Sequence, residues 1–138
     1  MENKKRIYLD DKRTPKEEGW IICRDYDQFV EAVSKIGLEN IDTISLDHDL
    51  GDTAIKEYFD NVKTNYVINY DNIKEMTGYD CAKWLVTTSM DTGVKLPLIL
   101  THSANPVGSA NIMGFINNYL KNQRLPQNCV RSQIPHTA

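Results

Sequence analysis

The sequence is short of the features that define several large classes of protein. Among its 138 residues no apolar run approaches the roughly 18 residues of a membrane span, and the polar start Met-Glu-Asn-Lys-Lys-Arg is unlike a secretory signal. The net charge of -3 provides no general attraction to duplex nucleic acid or to a membrane, so a polyanionic ligand would need a local cationic pocket. We therefore predict a cytoplasmic protein, located in the host cytoplasm if the chain is viral.

Cysteine is scarce and has no metal-type spacing. Cys23, Cys81 and Cys129 are odd in number and far apart, which is typical of free thiols in a reducing compartment rather than of a disulfide framework. Repeats and low-complexity segments are also absent, and the length suits one hydrophobic core. We predict a single domain over residues 1–138 and assign the thiols no chemistry.

What the sequence does contain is an alternation of strand-like and helix-like segments, which is typical of a parallel sheet covered on both faces. Helix starts are predicted at Asp25, at Thr77 and after the loop of residues 102–109. Strands are predicted near residues 6–9, 20–23, 43–46, 96–101 and 129–132. The pattern indicates an α/β, flavodoxin-like, doubly wound sheet of five parallel strands in the order 2-1-3-4-5.

A long insertion, about residues 52–76, interrupts this alternation after the third strand. It mixes lysines with aromatic residues and has no clean period over its whole length. Two interpretations remain open. The segment is either a functional flap, from which Tyr66 and Tyr70 stack on a nucleobase, or a surface excursion with a short helix near residues 54–62.

Polar side chains follow three of the predicted strands at their carboxyl ends. The first strand runs into Asp10-Asp11, the third into Asp47-His48-Asp49 and the fourth into Thr101-His102-Ser103. In the order 2-1-3-4-5 these three strands are neighbours, and open α/β sheets bind ligands at this edge. We therefore expect these side chains to converge on one site.

Four blocks of the sequence carry a family resemblance. They are Leu9-Asp10-Asp11-Lys12-Arg13-Thr14-Pro15, Leu46-Asp47-His48-Asp49-Leu50, Thr77-Gly78-Tyr79-Asp80 and His102-Ser103-Ala104-Asn105-Pro106. Over essentially its whole length the chain resembles the receiver domains of two-component signalling. It is more similar to the cyclic-phosphate-processing receiver-like domains of phages and bacteria. The resemblance implies a receiver-like fold and a cyclic phosphate as ligand.

The chain departs from an ordinary receiver in two places. Receivers carry a lysine on the fifth strand, whereas the corresponding stretch here offers only Arg131, and arginine does not replace lysine without a change of geometry. His48 and His102 are additions that a receiver does not need. We predict that they are catalytic together with Asp47, one imidazole taking a proton from water or a ribose hydroxyl and the other protonating the departing oxygen. Alternatively, each histidine caps a strand end or bonds a neighbouring carboxylate.

The aspartates also have two interpretations. The receiver resemblance favours Asp10, Asp11 and Asp47 as ligands of Mg²⁺ or Mn²⁺, and carboxylates without a cation would repel a phosphate. Alternatively, the carboxylates orient the imidazoles, Arg13 and the loop backbone with no metal present.

Further residues are predicted to bind the ligand. Arg13 can pair with a phosphate in bidentate fashion, and the start of the last helix, near residues 108–111, offers unpaired N–H groups. For the serines and asparagine the alternative is turn formation and helix capping. The predicted ligand-binding residues are Arg13, Asp49, Thr101, Ser103, Asn105 and Ser109.

The sequence thus predicts a domain that binds and hydrolyses a cyclic phosphodiester, either a cyclic nucleotide or a cyclic oligonucleotide signal. In a phage, this activity would act against cyclic-nucleotide immune signalling of the host. Two alternatives remain: a sponge that sequesters such a ligand intact, and a phosphoacceptor receiver that uses Asp47.

Overall fold

Four parallel strands form the sheet of this protein. The computed structural model describes residues 4–123. In these residues the strands are β1 (Lys5–Leu9), β2 (Trp20–Cys23), β3 (Ile41–Leu46) and β4 (Leu98–Thr101), in the order β2-β1-β3-β4 with every pairing parallel. The predicted α/β receiver-like fold is confirmed, with four strands in place of five. The fifth predicted strand, near residues 129–132, lies outside the described residues.

The helices follow the predicted alternation. They are α1 (Tyr26–Ile36), α2 (Asp52–Glu57), α3 (Lys63–Asn65), α4 (Gly78–Thr92) and α5 (Pro106–Gln123), with a π turn (Tyr58–Val62) between α2 and α3 and 3-10 turns at Leu38–Asn40 and Tyr70–Asn72. As predicted, Asp25 caps α1 by accepting from the Gln28 N–H, and Thr77 and Asp80 form a capping box at α4. Helix α5 begins at Pro106, earlier than predicted.

Hydrophobic packing covers one face of the sheet. Ile7, Leu9, Ile44 and Leu46 are fully buried against side chains of α1, α4 and α5. Side chains alternate between the faces of a strand, and on the opposite face Leu98 and Leu100 of β4 are exposed. The prediction of a doubly wound sheet is therefore not met within residues 4–123, where helices pack on one face.

Glycine allows α4 to begin against the end of β3. The Gly78 N–H donates to the His48 carbonyl oxygen over 2.9 Å, and a Cβ atom at residue 78 would overlap the carbonyl oxygen of Asp47. Only glycine fits this approach. The start of α4 thus fixes the backbone of the residues that follow β3.

The two described cysteines are packing residues. Cys23 and Cys81 are buried and free, and burial raises the pKa of Cys23 to about 11 and that of Cys81 well above the ordinary value. Both are therefore neutral thiols near pH 7.

None of the helices found in residues 4–123 combines the length and apolar character needed to cross a membrane.

Candidate functional site

A cavity of about 270 Å³ lies at the carboxyl ends of β1, β3 and β4. Because parallel strands end at the same edge of the sheet, the residues that follow them are brought together there. Six predicted site residues line the cavity: Asp10, Asp11, Arg13, Asp47, Asp49 and Ser103. Lys12, Ile55, Tyr58, Phe59 and Ala104 complete the lining.

Asp10 is buried and accepts four hydrogen bonds. Its Oδ1 accepts from the backbone N–H groups of Lys12 and Arg13 at 2.9 and 2.7 Å. Its Oδ2 accepts from Arg13 Nε at 2.9 Å and from His102 Nε2 at 3.1 Å. Burial alone would raise the pKa of Asp10, but these donors and the Arg13 charge outweigh it, so the pKa is lowered. Asp10 is therefore a carboxylate with its acceptor sites occupied.

The pKa of Asp47 is raised, in contrast to that of Asp10. It is 5% exposed, and Oδ1 accepts from the His48 backbone N–H at 2.9 Å and lies 3.7 Å from Arg13 Nη2. Burial and the negative charge of Asp10 raise its pKa to about 6, although Ser103, Arg13 and the His48 N–H oppose the rise. Asp47 is thus an incompletely neutralised carboxylate at the edge of the cavity.

The acidic cluster fits a divalent cation. One ligand atom each of Asp10, Asp11 and Asp47 lies within 4.8 Å of the others. The pKa of Asp11 is raised, first by burial and then by the Asp10 charge. The cavity lining has four carboxylates and two cations, Lys12 and Arg13, which leaves a formal excess of two negative charges. Because the Asp10 oxygens are already engaged, Asp11 and Asp47 are the more available ligands.

His102 lies behind Asp10 rather than in the cavity lining. Its Nε2 must donate to Asp10, because a carboxylate only accepts, and its Nδ1 then accepts from Ser45 Oγ at 2.7 Å. The ring stacks on Tyr8 with centroids 4.1 Å apart. Burial lowers the pKa of His102 more than Asp10 raises it, so the imidazole is neutral and orients a carboxylate.

His48 is fully buried and is also bonded at both ring nitrogens. Nδ1 lies 2.6 Å from Asp49 Oδ1, and Nε2 lies 3.0 Å from Tyr70 Oη. The amide of Asn111 also donates to Tyr70 Oη at 3.0 Å. Because a carboxylate only accepts, His48 Nδ1 donates to Asp49. The structure thus places His48 behind a cavity-facing carboxylate, without direct access to a ligand.

Asn105 completes the support of Asp49. Its Nδ2 donates to the two Asp49 oxygens at 3.2 and 3.4 Å, while its Oδ1 accepts from the Gly108 N–H at 2.9 Å. The buried amide thus caps α5 and orients Asp49 at the same time. Since the helix begins at Pro106 and Asn105 caps it, the predicted phosphate seat at residues 108–111 is corrected: these residues lie inside α5.

The two remaining predicted ligand residues do not line the cavity. Thr101 is the last residue of β4 and pairs in register with Leu46. Ser109 lies one turn into α5, where its N–H donates to the Asn105 carbonyl oxygen. Neither position supports the predicted contact with the ligand.

The insertion contributes an apolar wall that the sequence did not predict. The short helix expected near residues 54–62 is confirmed as α2 and the π turn, and Ile55, Tyr58 and Phe59 of this helix line the cavity. Tyr66 and Tyr70 do not line it. Lys12, beside Asp11 in the first loop, was also missed, although its position between Asp11 and Arg13 was a usable signal.

The comparison with family models agrees with this geometry. The model of the cyclic-phosphate processing receiver domain matches residues 5–118. The class that the fold and the acidic strand ends define is the receiver-like domain, and this chain belongs to the cyclic-phosphate processing receiver domain family. No curated protein and no solved structure matches the chain.

Proposed function

We propose that this protein binds a cyclic phosphodiester in the cavity and hydrolyses it to a linear phosphomonoester. The observation that supports this most is the pairing of two cations with an oriented carboxylate: Lys12 and Arg13 line the same cavity as Asp49. The family to which the chain belongs is described by cyclic-phosphate processing. Binding and turnover are assigned below to individual residues.

Arg13 and Lys12 are the phosphate-binding residues of this proposal. Arg13 Nη2 donates to the His102 carbonyl oxygen at 3.1 Å, which holds the guanidinium at the cavity. A guanidinium fixed in this way presents its remaining N–H groups to non-bridging phosphoryl oxygens. Ser103 lies on the same lining and offers a hydroxyl.

Asp49 is the proposed general base. Its carboxylate is held by His48 Nδ1 and Asn105 Nδ2, and its side chain is 14% exposed. It would take a proton from a water molecule as the water oxygen bonds to phosphorus and one ester P–O bond of the ring breaks. The departing oxygen leaves with a proton from solvent. His48 then acts through Asp49 as a positioning residue, and His102 acts in the same way through Asp10.

Asp11 and Asp47, with Asp10 beside them, would hold Mg²⁺ or Mn²⁺. When bound, such an ion polarises a phosphoryl oxygen and neutralises developing negative charge. The excess of two negative charges in the cavity lining supports this assignment.

The test is a screen of cyclic mono-, di- and trinucleotides by mass spectrometry, with Mg²⁺ and with EDTA. Wild-type protein should open at least one of these rings, and Asp49→Asn should slow turnover by about 10²–10⁴-fold with little change in binding. Asp52→Asn, a nearby exposed residue, is the matched control and should turn over normally.

Two other results would replace the proposal. Tight binding without turnover would identify a protein that sequesters its ligand intact. A lasting gain of one phosphate on treatment with acetyl phosphate, lost in Asp47→Asn, would identify a phosphoacceptor receiver. We expect no lasting adduct, since the stretch that corresponds to the lysine-bearing fifth strand of a receiver offers only Arg131 in this sequence, and arginine does not replace lysine without a change of geometry. If the chain is viral, ring opening would remove a cyclic-nucleotide immune signal of the host.

A further inference from the structure

The cavity has two chemically distinct walls. One is charged and carries the residues that follow β1 and β3, and the other is apolar and consists of Ile55, Tyr58 and Phe59. Phe59 is 55% exposed, and with Ile55 and Tyr58 it gives the cavity an apolar surface beside a cluster of carboxylates. A ligand that is anionic at one end and flat and apolar at the other matches both walls.

We propose that the apolar wall binds the base of a nucleoside cyclic monophosphate, and that Phe59 is its main contact. The inference rests on the proposed function, because it takes the phosphate end of the ligand to lie at Arg13 and Lys12. It narrows the ligand from cyclic phosphates in general to one nucleotide with an aromatic base.

The π turn explains how the wall is presented. Ala54 and Glu57 are buried three residues apart, but the next buried residue is Val62, five positions later. The Lys63 N–H donates to the Tyr58 carbonyl oxygen, the five-residue bond of a π turn. The extra residue allows Val62 to return to the core while Tyr58 and Phe59 both line the cavity. Single π turns of this kind are frequent at functional sites.

The ring of Phe59 is held in place by its neighbours. Tyr58 packs edge-on with ring centroids 5.2 Å apart and an interplanar angle of 70°. The ammonium of Lys63 lies 5.3 Å from the Phe59 centroid, within the range of a cation–π contact. A positioned ring that keeps more than half of its area exposed is suited to stack on a base, because every base has a π face.

The size of the cavity favours one nucleotide. Its volume of about 270 Å³ lies just below the range of about 300–1,000 Å³ typical of small-molecule sites. A cyclic di- or trinucleotide has two or three bases and phosphates, and most of it would remain outside. The cavity accommodates one phosphate at the charged wall and one base at the apolar wall.

The experiment compares ligands with and without a base. Dissociation constants are measured by calorimetry, in the presence of Mg²⁺, for nucleoside 2′,3′- and 3′,5′-cyclic monophosphates, for the corresponding ribose cyclic phosphates that lack a base, and for cyclic di- and trinucleotides. Phe59→Ala should weaken nucleotide binding by about 5- to 150-fold and leave binding of the base-free compounds unchanged. Tyr66→Ala is the control: this tyrosine is 69% exposed on the same insertion and does not line the cavity, so neither ligand should respond.

Three results would overturn the inference. Equal affinity of wild-type protein for the nucleotide and its base-free counterpart would show that no base is bound. Equal weakening of both ligands by Phe59→Ala would show that Phe59 supports the cavity rather than a base. Tighter binding of cyclic di- or trinucleotides than of any mononucleotide would exclude the single-nucleotide ligand. In each case the proposed hydrolysis could still hold, whereas failure of every cyclic phosphate to bind would overturn both proposals.

Discussion

A Cβ atom on Gly108 would lie 2.7 Å from Nδ1 of His48. Helix α5 therefore packs directly on the imidazole that holds Asp49, and glycine is the one residue that leaves room for the ring. The position of the catalytic carboxylate of our proposal depends on this helix as much as on β3.

Gly108→Ala should consequently destabilise the protein and displace His48. We expect a loss of about 1–3 kcal/mol in the free energy of unfolding, as for other insertions of a methyl group into a packed core, measured by urea denaturation. Gly114→Ala is the matched control in the same helix, because a Cβ atom there meets nothing within 4 Å. It should stabilise the protein by up to about 1 kcal/mol, the difference in helix propensity. Similar effects of both changes would contradict the close packing at Gly108.

Asp47→Asn should stabilise the metal-free protein at neutral pH but not at acid pH. The folded-state pKa of about 6 exceeds the ordinary value of 3.8. Between these values the folded state binds more protons than the unfolded chain, so this group lowers stability as the pH rises and the penalty is complete above about pH 6. In EDTA we expect the Asp47→Asn variant to gain about 1–3 kcal/mol at about pH 7.5 and almost nothing at about pH 4. Asp42→Asn, an exposed change in β3, is the control. An equal gain at both pH values would contradict the raised pKa of Asp47.

Divalent cations should stabilise the wild-type protein. An ion at about 100 times its dissociation constant adds about 2.7 kcal/mol to the free energy of unfolding, which is measured as a rise in melting temperature with Mg²⁺ or Mn²⁺. The rise should be lost in each of the single variants Asp11→Asn and Asp47→Asn. It should also be lost in the double variant that combines Asp10→Asn with Asp47→Asn. The rise should also be smaller at about pH 5 than at about pH 7.5, because protonation of Asp47 competes with the cation. An undiminished rise in the double variant would place the ion elsewhere.

Arg24 should control the shape of the loop of residues 10–14, which carries the proposed phosphate-binding residues Lys12 and Arg13. Its Nη1 donates to the carbonyl oxygens of Asp10 and Arg13 at 3.0 and 2.7 Å, and its Nη2 donates to Thr14 Oγ1 at 3.0 Å. A lysine at this position would keep the positive charge but could not make the three hydrogen bonds of the planar guanidinium. Arg24→Lys should lower stability by about 1–2 kcal/mol and weaken ligand binding, both measured against Lys35→Ala, an exposed change in α1. Unchanged binding would mean that the loop holds its shape without Arg24.

The sequence predicted the parts of the site that depend on strand ends and helix caps. Asp10, Asp47 and Ser103 lie where the carboxyl ends of neighbouring strands put them, and the helix starts at Asp25 and Thr77 follow from capping chemistry. The roles of adjacent residues were harder to predict. Asp47 and Asp49 line the cavity while His48, between them, is buried behind it, as alternation along an extended chain would give.

Other parts of the site depend on contacts that no local pattern contains. His48 bonds Tyr70, and His102 bonds Ser45 and Asp10, so the orientation of each ring depends on distant parts of the chain. The wall formed by Tyr58 and Phe59 depends on a π turn, which breaks the period on which helix prediction relies.

The insertion is closed at its base by one carboxylate. Glu75 accepts from Thr53 Oγ1 and, at 2.8 Å, from the Ala54 N–H, while the Lys74 N–H donates back to Thr53 Oγ1 at 2.9 Å. The two ends of the excursion are thereby tied together beside β3, whatever lies between them. Lengthening or shortening such a closed loop costs little chain entropy. Because Tyr70 bonds His48 and the Asn69 N–H donates to Glu57, we expect changes of length to be tolerated at residues 63–68, where they leave the carboxylates that follow β1 and β3 in place.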